Sequence, residues 1–376
     1  MRLSIKLWIL FLSVYTISCG SSKINELECV KLVDSAATKE TKSLYYNLKK
    51  LTGKGIMFGH EDATAYGVGW RNEDLRSDVY DVCGNFPAVY GWDISGIGTE
   101  YNIDSVKFDR MKFWIKSAYE RGGINTISWH LQNPVTETNA WDTTRAVQEI
   151  LPGGSRNAWY NKQLDLAAEF FNDLKSKDGI LIPIIFRPFH ENNGSWFWWG
   201  ARFCTPEEYK QLYRYTVCYL RDKKNIHNLI YAFSPDIFKT QEKYLERFPG
   251  KEYVDVLGFD NYWDFHNKNS IPQGIEQLRI LVALSRQMDK IAALTETGYN
   301  GIPDSTWWTD YILNPIKNDS IARNISWMLV WRNFSTKHHF APYPGHGSVS
   351  NFIKFENDPF TIFESDLPKM YLINNN

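Results

Sequence analysis

The hydrophobic pattern of the chain repeats one theme eight times. Each unit begins with a short apolar run, and a longer segment whose apolar residues have helical spacing follows it. The eight runs lie at 55–63, 86–95, 123–134, 181–192, 228–236, 254–263, 291–300 and 325–334. Runs that are continuously apolar, rather than alternating, are typical of strands buried on both faces of a parallel sheet.

Segments with helical spacing separate these runs, most clearly at 161–177, 205–222 and 271–289. Thr205 and Glu208 have the spacing of a capping box, and Pro206 suits the first position of a helix. Eight strand–helix units predict an α/β fold, a single (β/α)8 TIM barrel. An open doubly wound sheet is the alternative, but the chain lacks the glycine-rich phosphate fingerprint of that fold.

Polar and aromatic residues cluster at the end of each run. They are His60, Asp93, His130, Glu191, Asp260, Tyr262, Glu296, Trp331 and Arg332. In a (β/α)8 barrel the functional side chains lie at the carboxyl ends of the strands, where the loops form one face. The pattern therefore predicts one functional site at that face.

Composition narrows the kind of ligand. The formal net charge is −1, so the chain has no basic excess for binding nucleic acid, and we expect no nucleic-acid partner. The chain contains 15 Trp, 21 Tyr and 22 Phe. Most such rings pack in cores and interfaces, but an excess also suits the flat apolar faces of sugar rings. The segment 187–200, RPFHENNGSWFWWG, combines these rings with Arg, His and Glu, as expected at the mouth of a sugar-binding site.

Two glutamates close strands on opposite sides of the predicted barrel. Glu191 ends the fourth run and Glu296 ends the seventh. Hydrolysis of a glycosidic bond uses such a pair, separated by ~5–5.5 Å in retaining enzymes and about 6.5–9.5 Å in inverting ones. A single glutamate at a strand end is often only solvated or salt-bridged, so the hypothesis depends on the two side chains converging.

Six motifs of the chain resemble segments of glycoside hydrolase family 26, which is dominated by β-1,4-mannanases. Three resemble the family's fourth, seventh and eighth strands: RPFHENNGSWFWWG, TETG and VWRN. Three more resemble its first strand, its second strand and the segment after its third: GIMFGHEDATAYG, WDISG and ILPGGSRNAWY. The resemblance covers nearly the whole chain after residue 40. It implies a retaining β-1,4-mannanase that acts on mannan, galactomannan or manno-oligosaccharides without a cofactor.

The resemblance also implies a role for each matching residue. It makes Glu191 the acid/base and Glu296 the nucleophile. Tyr262 is expected to donate a hydrogen bond to Glu296, and Trp331 to form the floor below the sugar that is cleaved. The full set of implied substrate-binding residues is His130, Arg187, His190, Trp196, Tyr262, Trp331 and Arg332.

Other functions fit parts of the sequence. Family relatives that cleave β-1,3-xylan or mixed-linkage glucan use the same glutamates. A non-catalytic glycan-binding lipoprotein would also use aromatic platforms, but converging carboxylates repel each other and serve no purpose in binding alone. His338, His339 and His346 lie in one polar loop, but their spacing is not a recognised ligand set, and we expect no metal.

The N-terminus resembles a bacterial export signal. Arg2 and Lys6 precede an apolar run at 7–17, which is too short to span a bilayer of ~30 Å. We expect a signal peptide at 1–18, lipidation at Cys19, a tether at 19–38 and the catalytic domain at 39–376. An ordinary secretory signal cut nearby is the alternative.

Either signal places the protein outside the cytoplasm. We expect a monomer. We also expect it to be lipid-anchored at the outer membrane or periplasmic, and to contact the membrane only through its N-terminal lipid. The cysteines that remain are Cys29, Cys83, Cys204 and Cys218, which allow three disulfide pairings or buried free thiols.

Overall fold

The computed structural model describes residues 30–373, and each of the eight apolar runs contains one strand of a closed barrel. The barrel strands are β1 Ile56–Glu61, β2 Val89–Asp93, β3 Ile124–Trp129, β4 Ile184–Pro188, β5 Leu229–Phe233, β6 Val256–Asn261, β7 Ile291–Thr297 and β8 Trp327–Val330. Neighbouring strands are parallel, and β8 pairs with β1, with Met57 opposite Trp327. The predicted (β/α)8 barrel is confirmed.

Helices surround the barrel. They are α1 Lys39–Leu51, α2 Asp78–Cys83, α3 Phe108–Arg121, α4 Val147–Ile150, α5 Asn157–Asp173, α6 Pro206–Cys218, α7 Gln241–Leu245, α8 Ile271–Met288, α9 Asn314–Asn318 and α10 Val349–Glu356. Short π or 3-10 turns lie at Tyr219–Lys223, Asp264–His266, Trp308–Leu313, Ala322–Asn324 and Glu364–Asp366. Tyr66–Gly67 pairs with Trp70–Arg71 in the loop after β1, and Thr361–Ile362 pairs with the start of β1. The three clearest predicted helices correspond to α5, α6 with its π turn, and α8.

The predicted capping box starts α6. The Thr205 hydroxyl accepts a hydrogen bond from the Glu208 amide at 3.3 Å, and the Glu208 carboxylate accepts one from the Thr205 amide at 2.6 Å. These two bonds satisfy donors that a helix start otherwise leaves unpaired. Pro206 takes the first helical position, where no amide hydrogen is needed.

Alternate residues of the strands pack into two different clusters, because successive strand side chains point to opposite faces. In β1, Phe58 packs outward among aromatic rings of α10, whereas Met57 belongs to the barrel interior. Leu44 and Leu48 of α1 join that interior cluster. Helix α1 therefore closes the amino-terminal end of the barrel, so a cleft can open only at the opposite face.

The segment 30–38, within the predicted tether, contacts the barrel. The Val33 amide donates a hydrogen bond to the Asp255 carboxylate at 2.7 Å, and the buried Asp34 lies 2.8 Å from His227. These residues are part of the folded domain. The remainder of the predicted tether, Cys19 and the signal peptide lie outside the described residues.

Two further observations concern the state of the cysteines and the hydrophobicity of the helices in the described residues. Cys83, Cys204 and Cys218 carry free thiols, and Cys29 lies outside the described residues. Between residues 30 and 373, no helix combines the length and the apolar character that a membrane crossing requires.

A buried network ties α3 to the carboxyl-terminal segment and generates a stability prediction. Tyr90 donates a hydrogen bond to Glu364 at 2.5 Å, and Arg121 donates to the same carboxylate at 2.8 Å. Glu364→Ala leaves Arg121 and Tyr90 without their acceptor, so the free energy of unfolding should fall by about 2 kcal/mol in a urea titration. Glu276→Ala, which removes an exposed partner of Arg279, should leave the midpoint near that of the parent. Equal midpoints for both variants would contradict a stabilising role for this network.

Candidate active site

The two predicted glutamates meet at the carboxyl ends of the strands. Glu191 follows β4, and Glu296 lies near the end of β7. One carboxylate oxygen from each of them, and one from Asp260 of β6, lie within 4.8 Å of one another. This separation is near the ~5–5.5 Å of retaining glycosidases and well below the about 6.5–9.5 Å of inverting ones.

The backbone around Glu191 is held in an unusual conformation. Phe189 and Glu191 have φ angles of 53° and 52°, in the left-handed region that residues other than glycine rarely adopt. Hydrogen bonds from the Glu191 amide to the Ser234 carbonyl (2.8 Å) and from the Tyr209 hydroxyl to the Phe189 carbonyl (2.9 Å) hold it. The strained turn directs both His190 and Glu191 to the site, and the surrounding packing stabilises it.

Hydrogen-bond donors surround the Glu296 carboxylate. Tyr262 donates to it at 2.7 Å, and the buried guanidinium of Arg187 donates to it from the neighbouring side. Arg187 also donates to Asp260 at 2.9 Å and therefore bridges two carboxylates. Donors of this kind form strong, directional bonds and fix the orientation of the carboxylate.

Glu191 has the opposite environment. Burial, followed by the negative charges of Asp260 and Glu296, raises the pKa of its carboxyl well above the usual value, and the hydrogen bond from Trp196 (2.6 Å) only partly opposes this. A raised pKa favours the protonated form near neutral pH. The two glutamates thus differ in the way that an acid and a nucleophile must differ.

An aromatic wall lies beside the glutamates. The His130 ring lies 4.5 Å from the His190 ring and 6.2 Å from the Trp331 ring, so three sequence-predicted residues come together. Trp141, from the loop after β3, stacks on His130 at 5.3 Å with an interplanar angle of 16° and is 47% exposed. Trp141 was not predicted from the sequence, because it lies in a loop and not at the end of an apolar run.

The three tryptophans of the loop after β4 divide between ligand-accessible and supporting positions. Trp196 is partly exposed beside Glu191, whereas Trp198 and Trp199 are fully buried. The buried indoles donate hydrogen bonds to the Leu131 and His190 carbonyls at 2.9 and 2.8 Å. They support the loop from below and cannot stack on a sugar.

Arg332 lies on the β1–β2 side of the site. It forms an ion pair with the buried Asp104 at 2.8 Å, and its guanidinium lies 5.2 Å from the half-exposed ring of Phe334. Asp104 was not predicted, because it lies within a loop rather than at the end of an apolar run.

Glu61 is a second acidic residue without a predicted role. It ends β1, is 2% exposed, and a Cβ at the facing Gly91 would collide with its carboxylate. Burial, followed by the charges of Asp62 and Glu296, raises the pKa of Glu61 well above the usual value. Glu61 lies near the end of an apolar run, so the sequence pattern could have identified it, but His60, which directly precedes it, was predicted as the candidate instead.

Other candidate histidines do not join the site. His60 is fully buried, and burial lowers its pKa to about 3, so it is a neutral core residue. Within residues 30–373, the group with metal-ligand geometry is Glu191, Asp260 and Glu296, and His338, His339 and His346 form no such group. Arg187 already supplies positive charge to two of those three carboxylates.

Comparison with known proteins identifies relatives over most of the chain. Residues 33–363 match the family model "Glycosyl hydrolase family 26". A mannan endo-1,4-beta-mannosidase of Bifidobacterium adolescentis is 38% identical over 328 residues, which are 81% of this chain and 32% of that protein. One of Bacillus subtilis strain 168 is 33% identical over 58% of this chain and 60% of its own length. The chain thus spans less than two thirds of either relative.

Solved structures show the same relation. A GH26 beta-mannanase from Bacteroides ovatus has a TM-score of 0.86 and 42% identity, covering 90% of this chain and 99% of that one. A modular endo-beta-1,4-mannanase from Cellulomonas fimi has a TM-score of 0.85 and 37% identity, covering 91% and 79%. With the converging glutamates and the family match, these likenesses show that the chain belongs to glycosyl hydrolase family 26.

Proposed function

We propose that this protein is a retaining β-1,4-mannanase that hydrolyses mannan, galactomannan or manno-oligosaccharides by double displacement. The observation that carries the proposal is the meeting of Glu191 and Glu296 within 4.8 Å, with Glu191 in surroundings that raise its pKa and Glu296 bonded to two donors. The substrate assignment draws on the named activity of the family relatives, which are mannan endo-1,4-beta-mannosidases.

In the first step Glu296 attacks the anomeric carbon while Glu191 donates its proton to the departing glycosidic oxygen. A bond forms between the carboxylate and the sugar, and the bond to the leaving chain breaks. Arg187 and Tyr262 orient the Glu296 carboxylate for this attack, because both donate hydrogen bonds to it. The protonated state of Glu191 follows from its raised pKa.

In the second step a water molecule attacks the anomeric carbon and releases Glu296. Formation of the glycosyl ester neutralises Glu296, which removes one of the negative charges that raise the pKa of Glu191. Glu191 then remains deprotonated more readily and accepts the proton of the attacking water. The same pair of residues therefore serves both steps.

The surrounding residues bind the sugar chain in this proposal. Trp331 forms the floor below the cleaved sugar, Trp196 stacks the leaving-group side, and Arg332 contacts the next sugar outward. His130 and His190, whose rings lie 4.5 Å apart, contact the cleaved sugar. Aromatic faces suit the apolar C–H faces of sugars, and the polar groups select the hydroxyl pattern.

We also propose that the protein is exported and anchored through a lipid on Cys19. The support is the basic and apolar pattern of residues 1–18 and the cysteine that follows it. Incorporation of radiolabelled palmitate, compared between the parent and a Cys19→Ser variant, tests the anchor.

Glu296→Ala should lower turnover of linear mannan on the order of 10^4-fold, because the nucleophile is lost, while oligosaccharide binding persists. Reducing-end assays and calorimetric titration with mannohexaose measure the two effects. Glu276→Ala, on the exposed face of α8, is the matched control and should retain full turnover. A Glu296→Ala enzyme with parental turnover contradicts the proposal. If the parent enzyme hydrolyses β-1,3-xylan or mixed-linkage glucan in preference to mannan, the substrate assignment is wrong.

Glu191→Ala should reduce kcat/KM for mannan about 10^2- to 10^4-fold and affect a dinitrophenyl mannobioside far less. A dinitrophenolate departs without protonation, so the first step no longer needs an acid. Steady-state kinetics on both substrates measure the difference. Equal losses on the two substrates would contradict the acid role.

The first product released from mannohexaose should carry the β configuration at its new reducing end, because two displacements restore the original configuration. Proton NMR recorded before mutarotation follows the anomeric signals. An initial α anomer would refute the double displacement, although it would leave hydrolysis itself unquestioned.

A further inference from the structure

Asp93 is the most completely bonded carboxylate beside the site. It ends β2, is fully buried, and its Oδ1 accepts a hydrogen bond from the Ser95 amide at 2.7 Å. Its Oδ2 accepts hydrogen bonds from the Ser128 hydroxyl at 2.8 Å and from the His130 amide at 3.0 Å. The Nδ1 atom of the His130 ring also lies 2.8 Å from Oδ2. These contacts leave the His130 ring little freedom to turn.

The charge of Asp93 has one partner. Among the residues that the structure describes, no lysine or arginine nitrogen lies within 4.0 Å of its carboxylate, whereas the ring of His130 does. Burial of an ionised carboxylate is costly unless a cation pairs with it. Neutral donors from Ser95 and Ser128 reduce that cost, but only a protonated His130 supplies the compensating charge.

Titration behaviour agrees with this geometry. Burial disfavours the charged forms of both groups, but their mutual attraction and hydrogen bond, together with the Ser95 donors to Asp93, outweigh it, so the pKa of Asp93 is lowered and the pKa of His130 is raised. Glu296 and Asp104 contribute to the raised pKa of His130 as further negative charges. Since the pKa of His130 is raised, its charged form persists above the usual titration range and is lost only as the pH rises through the shifted value.

His190 has the opposite charge state. Its ring lies 4.5 Å from that of His130, and its Nδ1 is buried without a hydrogen-bond partner in the described part of the chain. Burial, followed by the positive charges of Arg187 and His130, lowers the pKa of His190 well below the usual range. A charged His130 thus helps to keep its neighbour neutral.

We propose that Asp93 is a positioning residue that holds His130 as a doubly protonated imidazolium beside the bound sugar, while His190 stays neutral. The role of the sugar rests on the proposed function, whereas the charge states rest on the contacts and burial of these side chains and do not depend on it. Nδ1–H of His130 is used by Asp93, so Nε2–H remains as a donor for a sugar oxygen. A doubly protonated ring cannot accept a hydrogen bond, whereas the neutral His190 can.

The pairing also suits the reaction electrostatically. Positive charge develops on the sugar in the transition state of glycoside hydrolysis, so an isolated cation there would be unfavourable. Asp93 and His130 together carry no net charge, so the pair supplies a strong, oriented donor at little electrostatic cost. The imidazolium face also attracts the stacked ring of Trp141, which fixes the loop after β3 against the site.

Asp93→Asn tests the proposal because asparagine keeps the shape and removes the charge. In the variant, burial acts on His130 without its bonded counter-charge, and only the smaller effects of Glu296 and Asp104 oppose it, so the ring should be neutral at pH 7. We expect kcat/KM for mannohexaose to fall about ten- to a hundred-fold, the range for a lost charge-assisted hydrogen bond, and to recover partly as the pH is lowered. Ser128→Ala removes one hydrogen bond to Asp93 but keeps the carboxylate, so this matched control should lose much less.

Imidazole nitrogen-15 NMR of the parent protein reads the charge state directly and does not depend on whether the variant folds. The His130 signals, assigned by their absence in His130→Gln, should report two protonated nitrogens at pH 6, and those of His190 a neutral ring. A neutral His130 in the parent, a charged His130 in Asp93→Asn, or equal kinetic losses in Asp93→Asn and Ser128→Ala would overturn the proposal. A charged His130 in a protein that does not hydrolyse mannan would refute the proposed function and leave the charge pairing standing.

Discussion

The bridge that Arg187 forms between Asp260 and Glu296 is the interaction on which the site depends. All three side chains are buried at the ends of β4, β6 and β7, so one guanidinium joins three strands at the carboxyl face of the barrel. Loss of one partner from such a buried pair generally costs about 3–5 kcal/mol, because the remaining charge is left uncompensated. The same contact that stabilises this end of the barrel therefore also orients the carboxylate of Glu296.

Negative charge exceeds positive charge around this bridge, and the excess affects the protonation of the carboxylates. Asp260, Glu61 and Glu191 all lie near Glu296, and burial together with mutual repulsion raises the pKa of each of the three. One arginine cannot neutralise four carboxylates, so the burial and repulsion that raise the pKa values of Asp260, Glu61 and Glu191 are only partly offset. Of these three residues, Glu61 and Asp260 are buried, whereas Glu191 is partly accessible to solvent and accepts a hydrogen bond from Trp196.

The rest of the barrel holds this arrangement rigid. Helix α1 closes the far end of the barrel, and the indoles of Trp198 and Trp199 pack beneath the loop that carries Glu191. Close packing of this kind transmits strain instead of absorbing it, so the left-handed turn at Phe189 and Glu191 persists. A site built at the ends of rigid strands is more sharply positioned than one carried by loops alone.

The sequence by itself determined the eight strands, the barrel they form and the face at which the functional residues gather. It could do so because burial on both faces of a strand requires a continuous apolar run, which is visible locally in the chain. Only the tertiary structure decided which polar residues meet. The approach of Glu191 to Glu296, the Arg187 bridge and the roles of Asp104 and Trp141 depend on barrel closure and loop paths. The charge states of Asp93, His130 and His190 follow from neighbours distant in the chain, and so no local pattern encodes them.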